Sequence, residues 1–381
     1  MTLNIYILSL CFFKSPILIK PILIKPIDNK NILQLTQNSI YKPRIANLYN
    51  SFDINSNDKY YKYIYKIKDK NYKFVIKKNN IIRIKNGLLI FIWFMLSAKY
   101  NICNKQRLNM LNLPWLHSTC SLGTGALISV IVWKANIHKP PNINLQEIKK
   151  YIVCSFFHSI GHISAVIAVS AGAVSFTQIV KSAEPLFACG FNWILLGDKI
   201  TLPIILSLLP IIFGVSLASI SEINFTWTSF IGSMISNIAF AGRNVSSKLA
   251  MNKSKNNTIT PTNLFSLLTI IGFIISIPLT IFFEGPKILP ILSQNTIPYY
   301  IILKKSMETG FYFYFYNEAA MILLKNINPV SHAIINTIKR IILLIFCVIF
   351  FNTKLTINGV IGSTIAISGS YLYSKTKNIK K

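Results

Sequence analysis

Long apolar segments separated by short polar connections dominate the chain from Gly87 to its C-terminal end. Ten of these segments are long enough to cross a bilayer, which takes about 20 apolar residues in a helix. The ten segments run over residues 87–104, 114–134, 151–172, 174–196, 202–221, 225–248, 262–283, 298–323, 329–351 and 355–374. The connections between them hold turn formers and charges, as at Lys139-Pro140-Pro141. This pattern predicts an all-α membrane protein with ten transmembrane helices.

The composition agrees with a membrane protein. Of the 381 residues, 52% are hydrophobic and 13% are charged, and the mean hydropathy is +0.48. The net charge of +29 is spread over the N-terminal stretch, the loops and the C-terminal end, without a nucleic-acid-binding module, so nucleic acid is not an expected partner. Basic residues favour the loops after the even-numbered segments, which places both termini on the side from which the chain inserts.

Residues 1–85 have the character of a targeting leader. Leu3 to Phe13 matches the apolar core of a signal peptide in length, and the stretch from there to Lys85 is basic and poor in acids, as in transit peptides. The order of the two predicts secretory entry followed by import into an organelle; a low-complexity tail is the alternative. We interpret residues 1–85 as a leader that is disordered or removed, 86–376 as the transporter domain, and 377–381 as a basic tail.

The sequence contains an internal repeat. Asp198–Thr201 aligns with Thr353–Thr356 at an offset of 155 residues, and Ala98–Lys105 aligns with Ala241–Lys248 at an offset of 143. Segments one to five thus recur as segments six to ten, and because five is odd the second half must be inverted in the membrane. Inverted repeats around a site near the midplane are characteristic of secondary transporters. The repeats cover residues 87–221 and 225–374.

Three cations inside apolar segments point to an anion site. Lys339 and Arg340 lie near the middle of their segment, where each would cost about 2.5–3.5 kcal/mol if it faced lipid. Lys181 lies inside the fourth segment, and the 155-residue offset places Lys339 on Glu184, one helical turn from Lys181. Arginine offers a planar fork and lysine a mobile point charge to phosphate oxygens. The three together predict a cavity for a dianionic or trianionic organophosphate.

Proline at position 185 is expected to bend the fourth segment, since proline removes a backbone donor and leaves a carbonyl free. The adjacent Glu184 is predicted to pair with a lysine or arginine or to act as a gate. Arg243 and Lys248, in the sixth segment, are expected to extend the path of the anion.

His162 is a candidate hydrogen-bond donor to the substrate, with a packing histidine as the alternative. It forms an i, i+4 pair with His158, but no third ligand accompanies the pair, so no metal site is predicted. The hydroxyl of Tyr316 is also expected to reach the cavity. No enzyme motif and no cofactor-binding motif is present in the sequence.

Four motifs resemble the plastid triose-phosphate/phosphate translocators, which belong to the drug/metabolite transporter superfamily. They are Gly161-His162, Val174–Pro185, Tyr316-Asn317 and Ser331–Arg340, and the resemblance covers about residues 87–376. It implies strict exchange of inorganic phosphate for a three-carbon phosphate. It also implies that Lys181, Lys339 and Arg340 hold the phosphate with help from Tyr316, and that His162 lies at the substrate. Ala165 replaces a hydroxyl residue found in some members. The leader resembles that of the apicomplexan version, which is sent to the innermost membrane of the relict plastid, the apicoplast.

The leading hypothesis is therefore a monomeric alternating-access antiporter in a plastid membrane. Its expected substrates are inorganic phosphate, dihydroxyacetone phosphate, 3-phosphoglycerate and phosphoenolpyruvate. A nucleotide-sugar or other organophosphate transporter of the same fold is the main alternative. A membrane enzyme acting on lipid phosphates would need a nucleophile or acid–base set, which the sequence does not show, and a channel or structural protein would not need three buried cations.

Overall fold

The computed structural model describes residues 60–67, 70–141, 145–252, 259–294, 298–327, 329–353 and 355–379. Most of the predicted leader and the last two residues of the basic tail lie outside the described residues. The chain divides into two units, one ending at Leu88 and the other beginning at Leu89.

The first unit contains an antiparallel hairpin of strands β1 (Tyr60–Ile67) and β2 (Lys70–Lys77), in which Tyr60 is opposite Lys77 and Ile67 is opposite Lys70. Both strands are rich in tyrosine, isoleucine, valine and phenylalanine, which favour extended structure. The hairpin lies in a stretch for which the sequence predicted only a leader.

The second unit is helical in its described residues. Helix α1 begins before the unit boundary, and ten more helices and one 3-10 turn follow it. The helices are α1 (Lys78–Met110), α2 (Pro114–Lys134), α3 (Leu145–Ala171), α4 (Val174–Val180), α5 (Glu184–Leu196), α6 (Leu202–Ile220), α7 (Trp227–Asn252), α8 (Pro261–Gln294), α9 (Tyr299–Asn326), α10 (Pro329–Phe351) and α11 (Ile357–Ile379).

The fourth predicted segment is interrupted, as expected from its proline. The 3-10 turn Lys181–Ala183 separates α4 from α5, and Pro185 occupies the first turn of α5. Pro185 has no N–H with which to bond the carbonyl of Lys181 four residues earlier. That carbonyl instead accepts the backbone N–H of Glu184 and a guanidinium N–H of Arg340. The carbonyl left free by Pro185 thus holds the side chain of Arg340, which comes from α10.

Seven helical stretches are long and apolar enough to cross a membrane: Ile82–Met110, Pro114–Lys134, Ile148–Ala171, Val174–Leu196, Leu202–Ile220, Pro261–Ser293 and Ile334–Phe351. Helices α7, α9 and α11 do not meet this criterion, and α7 and α9 carry polar side chains that face the interior cavity described below. Large apolar side chains such as Ile205, Leu209 and Phe213 are exposed on the outer face of α6, as expected for contact with lipid. The protein is therefore a helical, multi-span membrane protein.

Small residues let two helix pairs approach closely. At Gly362 of α11 an added Cβ would lie 2.6 Å from the backbone nitrogen of Ala218 on α6, so a larger residue would separate the two helices. At Gly161 of α3 an added Cβ would lie 3.0 Å from Phe240 on α7, and the Gly161 carbonyl accepts a hydrogen bond of 3.0 Å from Ser236. These close pairs support the helices that carry the polar residues.

The C-terminal half of α1 is held by two cations. Lys105 Nζ donates to the carbonyls of Val169, at 2.8 Å, and Gly172, at 3.0 Å, at the C-terminal end of α3, where the helix dipole is negative. Arg107 donates to the carbonyl of His117 on α2 at 2.7 Å. The orientation of α1 is thereby fixed, and with it the face that α1 presents to the interior.

Candidate functional site

A cavity of about 430 Å³ lies among the helices of the second unit. Its described polar lining comes from α1, α3, α4 with its junction to α5, α7, α9 and α10. The polar and charged lining residues are Trp93, Ser97, Tyr100, Asn101, His158, Gln178, Lys181, Glu184, Arg243, Asn244, Ser247, Tyr316, Asn317, His332, Asn336, Lys339 and Arg340. The structure thus brings the cations of the fourth and ninth predicted segments into one cavity.

Arg340 is held by a carboxylate and a backbone carbonyl. Its Nη2 donates to Glu184 Oε2 at 2.6 Å, and its Nη1 donates to the Lys181 carbonyl freed by the proline. The planar guanidinium therefore bridges α10 to the α4–α5 junction through two different acceptors. Glu184 thus pairs with Arg340, and its role as a gate stays a prediction.

Lys181 and Lys339 differ from Arg340 in having no carboxylate within ion-pair distance among the described residues. Lys339 Nζ instead lies 4.3 Å from the ring centroid of Trp93, a cation–π contact. Together with Arg243 and Arg340, four cations line the cavity against the single carboxylate of Glu184, which leaves three positive charges in excess. Charges held away from water are costly unless paired, so this arrangement favours an anion in the cavity.

Arg243 is held by a second network. Its Nη1 lies 3.2 Å from His158 Nδ1, and its Nη2 donates to Asn244 Oδ1 at 2.9 Å. Since arginine has only donors, Nδ1 of His158 is the acceptor, and the proton of the neutral imidazole is on Nε2. Asn244 Nδ2 in turn donates to Glu184 Oε1 at 3.3 Å. The network therefore runs from α3 through α7 to Glu184 and Arg340.

We call the four cations Lys181, Arg243, Lys339 and Arg340 the cationic wall. The sequence predicted all four as site residues, and it also predicted Tyr316. The ring of Tyr316 lines the cavity with its centroid 5.1 Å from that of Tyr100.

Two predicted site residues do not line this cavity. His162 is buried, and its ring packs against Phe313 at a centroid distance of 4.3 Å. Lys248 is exposed and lies outside the lining. Their contact with substrate stays a prediction.

His158 lines the cavity where the sequence analysis favoured His162. The two histidines are one turn apart on α3, so their spacing puts both near one face, and only the rotation of α3 decides which of them reaches the cavity. Sequence reasoning also missed Trp93 and Ser97. Their spacing, continued by Tyr100 and Asn101, marks a single helical face within the first predicted segment, which was a usable signal.

The sequence pattern of the Triose-phosphate Transporter family matches residues 84–374 of the chain. The chain belongs to this family. Three similar proteins are the chloroplastic glucose-6-phosphate/phosphate translocator 2 of Arabidopsis thaliana, the chloroplastic phosphoenolpyruvate/phosphate translocator 3 of Oryza sativa subsp. japonica, and the triose phosphate/phosphate translocator, non-green plastid, of Brassica oleracea var. botrytis.

The three relatives align with most of the chain. The first is 36% identical over 301 residues, which are 77% of this chain and 76% of the relative. The second and third are each 32% identical over 295 residues, which are 77% of this chain and 75% and 73% of the relatives. The predicted resemblance to the plastid phosphate translocators is confirmed, and membership of the family makes the chain a transporter and not an enzyme. The closer resemblance to the apicomplexan version stays a prediction.

Proposed function

We propose that this protein exchanges inorganic phosphate for phosphorylated three-carbon compounds across a plastid membrane. The observation that carries the proposal is the cationic wall, whose four cations face one carboxylate in a cavity of about 430 Å³. The relatives support it, since their names join phosphate to triose phosphate, phosphoenolpyruvate or glucose 6-phosphate as exchanged partners. The expected three-carbon substrates are dihydroxyacetone phosphate, 3-phosphoglycerate and phosphoenolpyruvate.

In this proposal the phosphate group binds between Lys181 and Lys339. Both ammonium groups lack a carboxylate partner in the described part of the chain, so each is available to a phosphate oxygen. Arg340 directs its remaining donors to the same anion from a position fixed by Glu184 and the Lys181 carbonyl. Tyr316 adds a hydroxyl, and Arg243, which lines the same cavity from α7, receives a second anionic group.

The excess of positive charge also gives a reason for strict exchange. Alternating access requires the cavity to close on one side before it opens on the other. Closing an empty cavity would dehydrate three uncompensated cations, whereas a bound dianion neutralises most of that charge. The loaded carrier therefore changes state readily and the empty carrier does not, so net transport without a counter-substrate is slow.

The alternating mechanism is expected to rest on ten spans in two inverted repeats. The helix ends support this arrangement: α3 ends at Ala171 and α9 at Asn326, while α4 begins at Val174 and α10 at Pro329. Each pair differs by 155 residues, the same offset as the sequence repeat. By the 143-residue offset of the other repeat match, Lys105 and Lys248 would be equivalent residues in the last turns of α1 and α7.

We further propose that the protein acts as a monomer in the innermost membrane of an apicoplast. The leader-like composition of residues 1–85 supports import into such an organelle. A fluorescent-protein fusion of the full chain, compared with one that begins at residue 86, tests this location. Failure of the full chain to reach the plastid would contradict it.

The test of the exchange reaction is uptake of labelled phosphate into liposomes that contain the purified protein. The vesicles are loaded with phosphate, dihydroxyacetone phosphate, phosphoenolpyruvate, a UDP-sugar or buffer alone. We expect uptake with internal phosphate or three-carbon phosphates and little uptake into empty vesicles. Equal uptake into empty vesicles would contradict strict exchange, and exchange of UDP-sugars against nucleotide without phosphate exchange would favour the nucleotide-sugar alternative.

A further inference from the structure

One side of the cavity carries polar atoms that no described group binds. Trp93 and Ser97 lie on consecutive turns of α1 and both line the cavity. Each residue is 2% exposed. Trp93 Nε1 and Ser97 Oγ have no hydrogen-bond partner within the part of the chain that the structure describes. Buried polar atoms are nearly always paired, so two such atoms in the wall of the cavity are available to bind a ligand that enters it.

Ser97 differs in this respect from most serines of the helices. A helical serine commonly returns its hydrogen to the carbonyl four residues earlier. Ser118, Ser155 and Ser219 do so at 2.8, 2.8 and 2.7 Å. Ser97 does not, and its hydroxyl remains free both to donate and to accept at the cavity surface.

His332 supplies the complementary group. Its ring stacks on Trp93 with a centroid distance of 5.3 Å and an interplanar angle of 20°. The Ala320 carbonyl is the hydrogen-bond partner of the ring, while Nε2 has no partner among the described residues. The Nδ1–H group therefore donates to Ala320, and Nε2 of the neutral ring keeps an acceptor lone pair.

We propose that Trp93, Ser97 and His332, which we call the uncharged wall, bind an uncharged oxygen of the substrate's carbon skeleton. The inference rests on the proposed function, because it places the phosphate on the cationic wall. The two walls meet where Lys339 Nζ lies 4.3 Å from the Trp93 ring, so a short carbon chain attached to that phosphate reaches the uncharged wall.

The chemistry of the wall selects a hydroxyl or a carbonyl group. The indole N–H and the serine hydroxyl donate to an oxygen, and the imidazole accepts from a hydroxyl. A carboxylate bound to the uncharged wall would find no cationic partner among Trp93, Ser97 and His332 themselves, which is less favourable in a site removed from water than binding of a neutral oxygen. The uncharged wall therefore favours dihydroxyacetone phosphate, which has a hydroxyl and a carbonyl, over phosphoenolpyruvate, which has neither outside its carboxylate.

The test compares Ser97→Ala and Trp93→Phe with wild type in liposomes. The phenyl ring keeps an aromatic face toward Lys339 but lacks the N–H donor, so this variant leaves the phosphate subsite in place. Exchange of internal labelled phosphate is measured against external phosphate, dihydroxyacetone phosphate and phosphoenolpyruvate. Ser155→Ala is the matched control, because that serine is equally buried but bonds its own helix outside the cavity lining.

We expect each variant to lower kcat/KM for dihydroxyacetone phosphate by about three- to tenfold, the effect of one lost hydrogen bond. Phosphate homoexchange and phosphoenolpyruvate exchange are expected to stay within about twofold of wild type. Stabilisation of the purified protein against heat by dihydroxyacetone phosphate should fall in parallel, which a change in folding alone would not produce.

Unchanged substrate ratios in both variants, or an equal loss for all three anions, would overturn the uncharged wall as a binding subsite. A selective loss for phosphoenolpyruvate would overturn it as well, because the wall would then recognise the carboxylate. Wild-type protein that exchanges none of the three anions would overturn the proposed exchange reaction together with the wall. Wild-type exchange with unaltered ratios in the variants overturns the wall alone.

Discussion

The two walls of the cavity differ in charge and in how their polar atoms are paired. The cationic wall must hold like charges together without water, and its two arginines are fixed by acceptors: Arg340 by Glu184, and Arg243 by His158 and Asn244. The uncharged wall consists of neutral groups, each of which has one hydrogen-bonding atom without a partner among the described residues. In the proposed assignment, affinity for the phosphate and choice of the uncharged part of the carbon skeleton belong to different residues, which can be altered separately.

The largest effect is expected at the centre of the cationic wall. Lys339→Gln removes a charge that has no carboxylate partner in the described chain and that makes a cation–π contact with Trp93. We expect phosphate exchange to fall by about 100-fold or more, because a buried anion loses one of its counter-charges. Initial uptake rates in liposomes measure it.

The control for this variant is Lys304→Gln, since Lys304 is exposed on α9 and does not line the cavity. Both proteins should purify and unfold at similar temperatures. Full exchange by Lys339→Gln would show that the cationic wall does not bind the phosphate.

A smaller effect with a distinctive form is expected for Glu184→Gln. The change removes the only carboxylate among the described residues of the cavity lining and frees Arg340. Phosphate should bind more tightly but leave more slowly, so both KM and kcat should fall, with kcat reduced by about tenfold. Concentration-dependent exchange measures the two constants. A raised KM with unchanged kcat would mean that Glu184 does not balance the charge of the wall.

Arg243→Lys keeps the charge of the cationic wall and removes the planar guanidinium that contacts His158 and Asn244. A lysine cannot bridge His158 and Asn244 while facing the cavity, as the planar guanidinium does. We expect KM for three-carbon phosphates to rise by about fivefold, with a smaller rise for inorganic phosphate. An equal rise in KM for three-carbon phosphates and for inorganic phosphate would show that Arg243 attracts anions in general and does not contact one end of the substrate.

The smallest effect concerns the contact between the two walls. Trp93→Leu removes the aromatic face next to Lys339, whereas Trp93→Phe retains one. We expect phosphate homoexchange to fall by about threefold in Trp93→Leu and to change little in Trp93→Phe, in keeping with an ordinary cation–π energy. Equal rates in the two variants would show that the ring does not support the lysine.

Much of this arrangement could be read from local sequence. The environment of an apolar segment of spanning length, or of a charge inside it, can be inferred from that segment alone. The reason is that lipid excludes both unpaired backbone groups and unpaired charges. The predicted helical membrane character is confirmed by the long apolar helices, and the predicted family, which rested on motifs, is confirmed by the match over residues 84–374. Pro185 likewise predicted the break in the fourth segment, which the 3-10 turn shows.

What sequence reasoning missed depends on rotation and distance. His158 and His162 are one turn apart, and only the packing of α3 against α7 turns His158 toward Arg243. Trp93 and Ser97 carry no charge, so an apolar segment hides them, and their free atoms are recognised only once the surrounding side chains are placed. The hairpin β1–β2 was missed because the composition of the leader was considered and its alternation was not.

The sequence by itself determined that this chain is a membrane transporter with buried cations, since hydropathy and charge act within single segments. Only the tertiary structure decided which polar atoms share the cavity and which of them are already paired. The physical reason is that a hydrogen bond forms only when donor and acceptor are placed to within a few tenths of an ångström. In this cavity the donors and acceptors belong to helices that are far apart in sequence. Their placement follows from close packing at residues such as Gly161 and Gly362, which the sequence alone does not assign to partners.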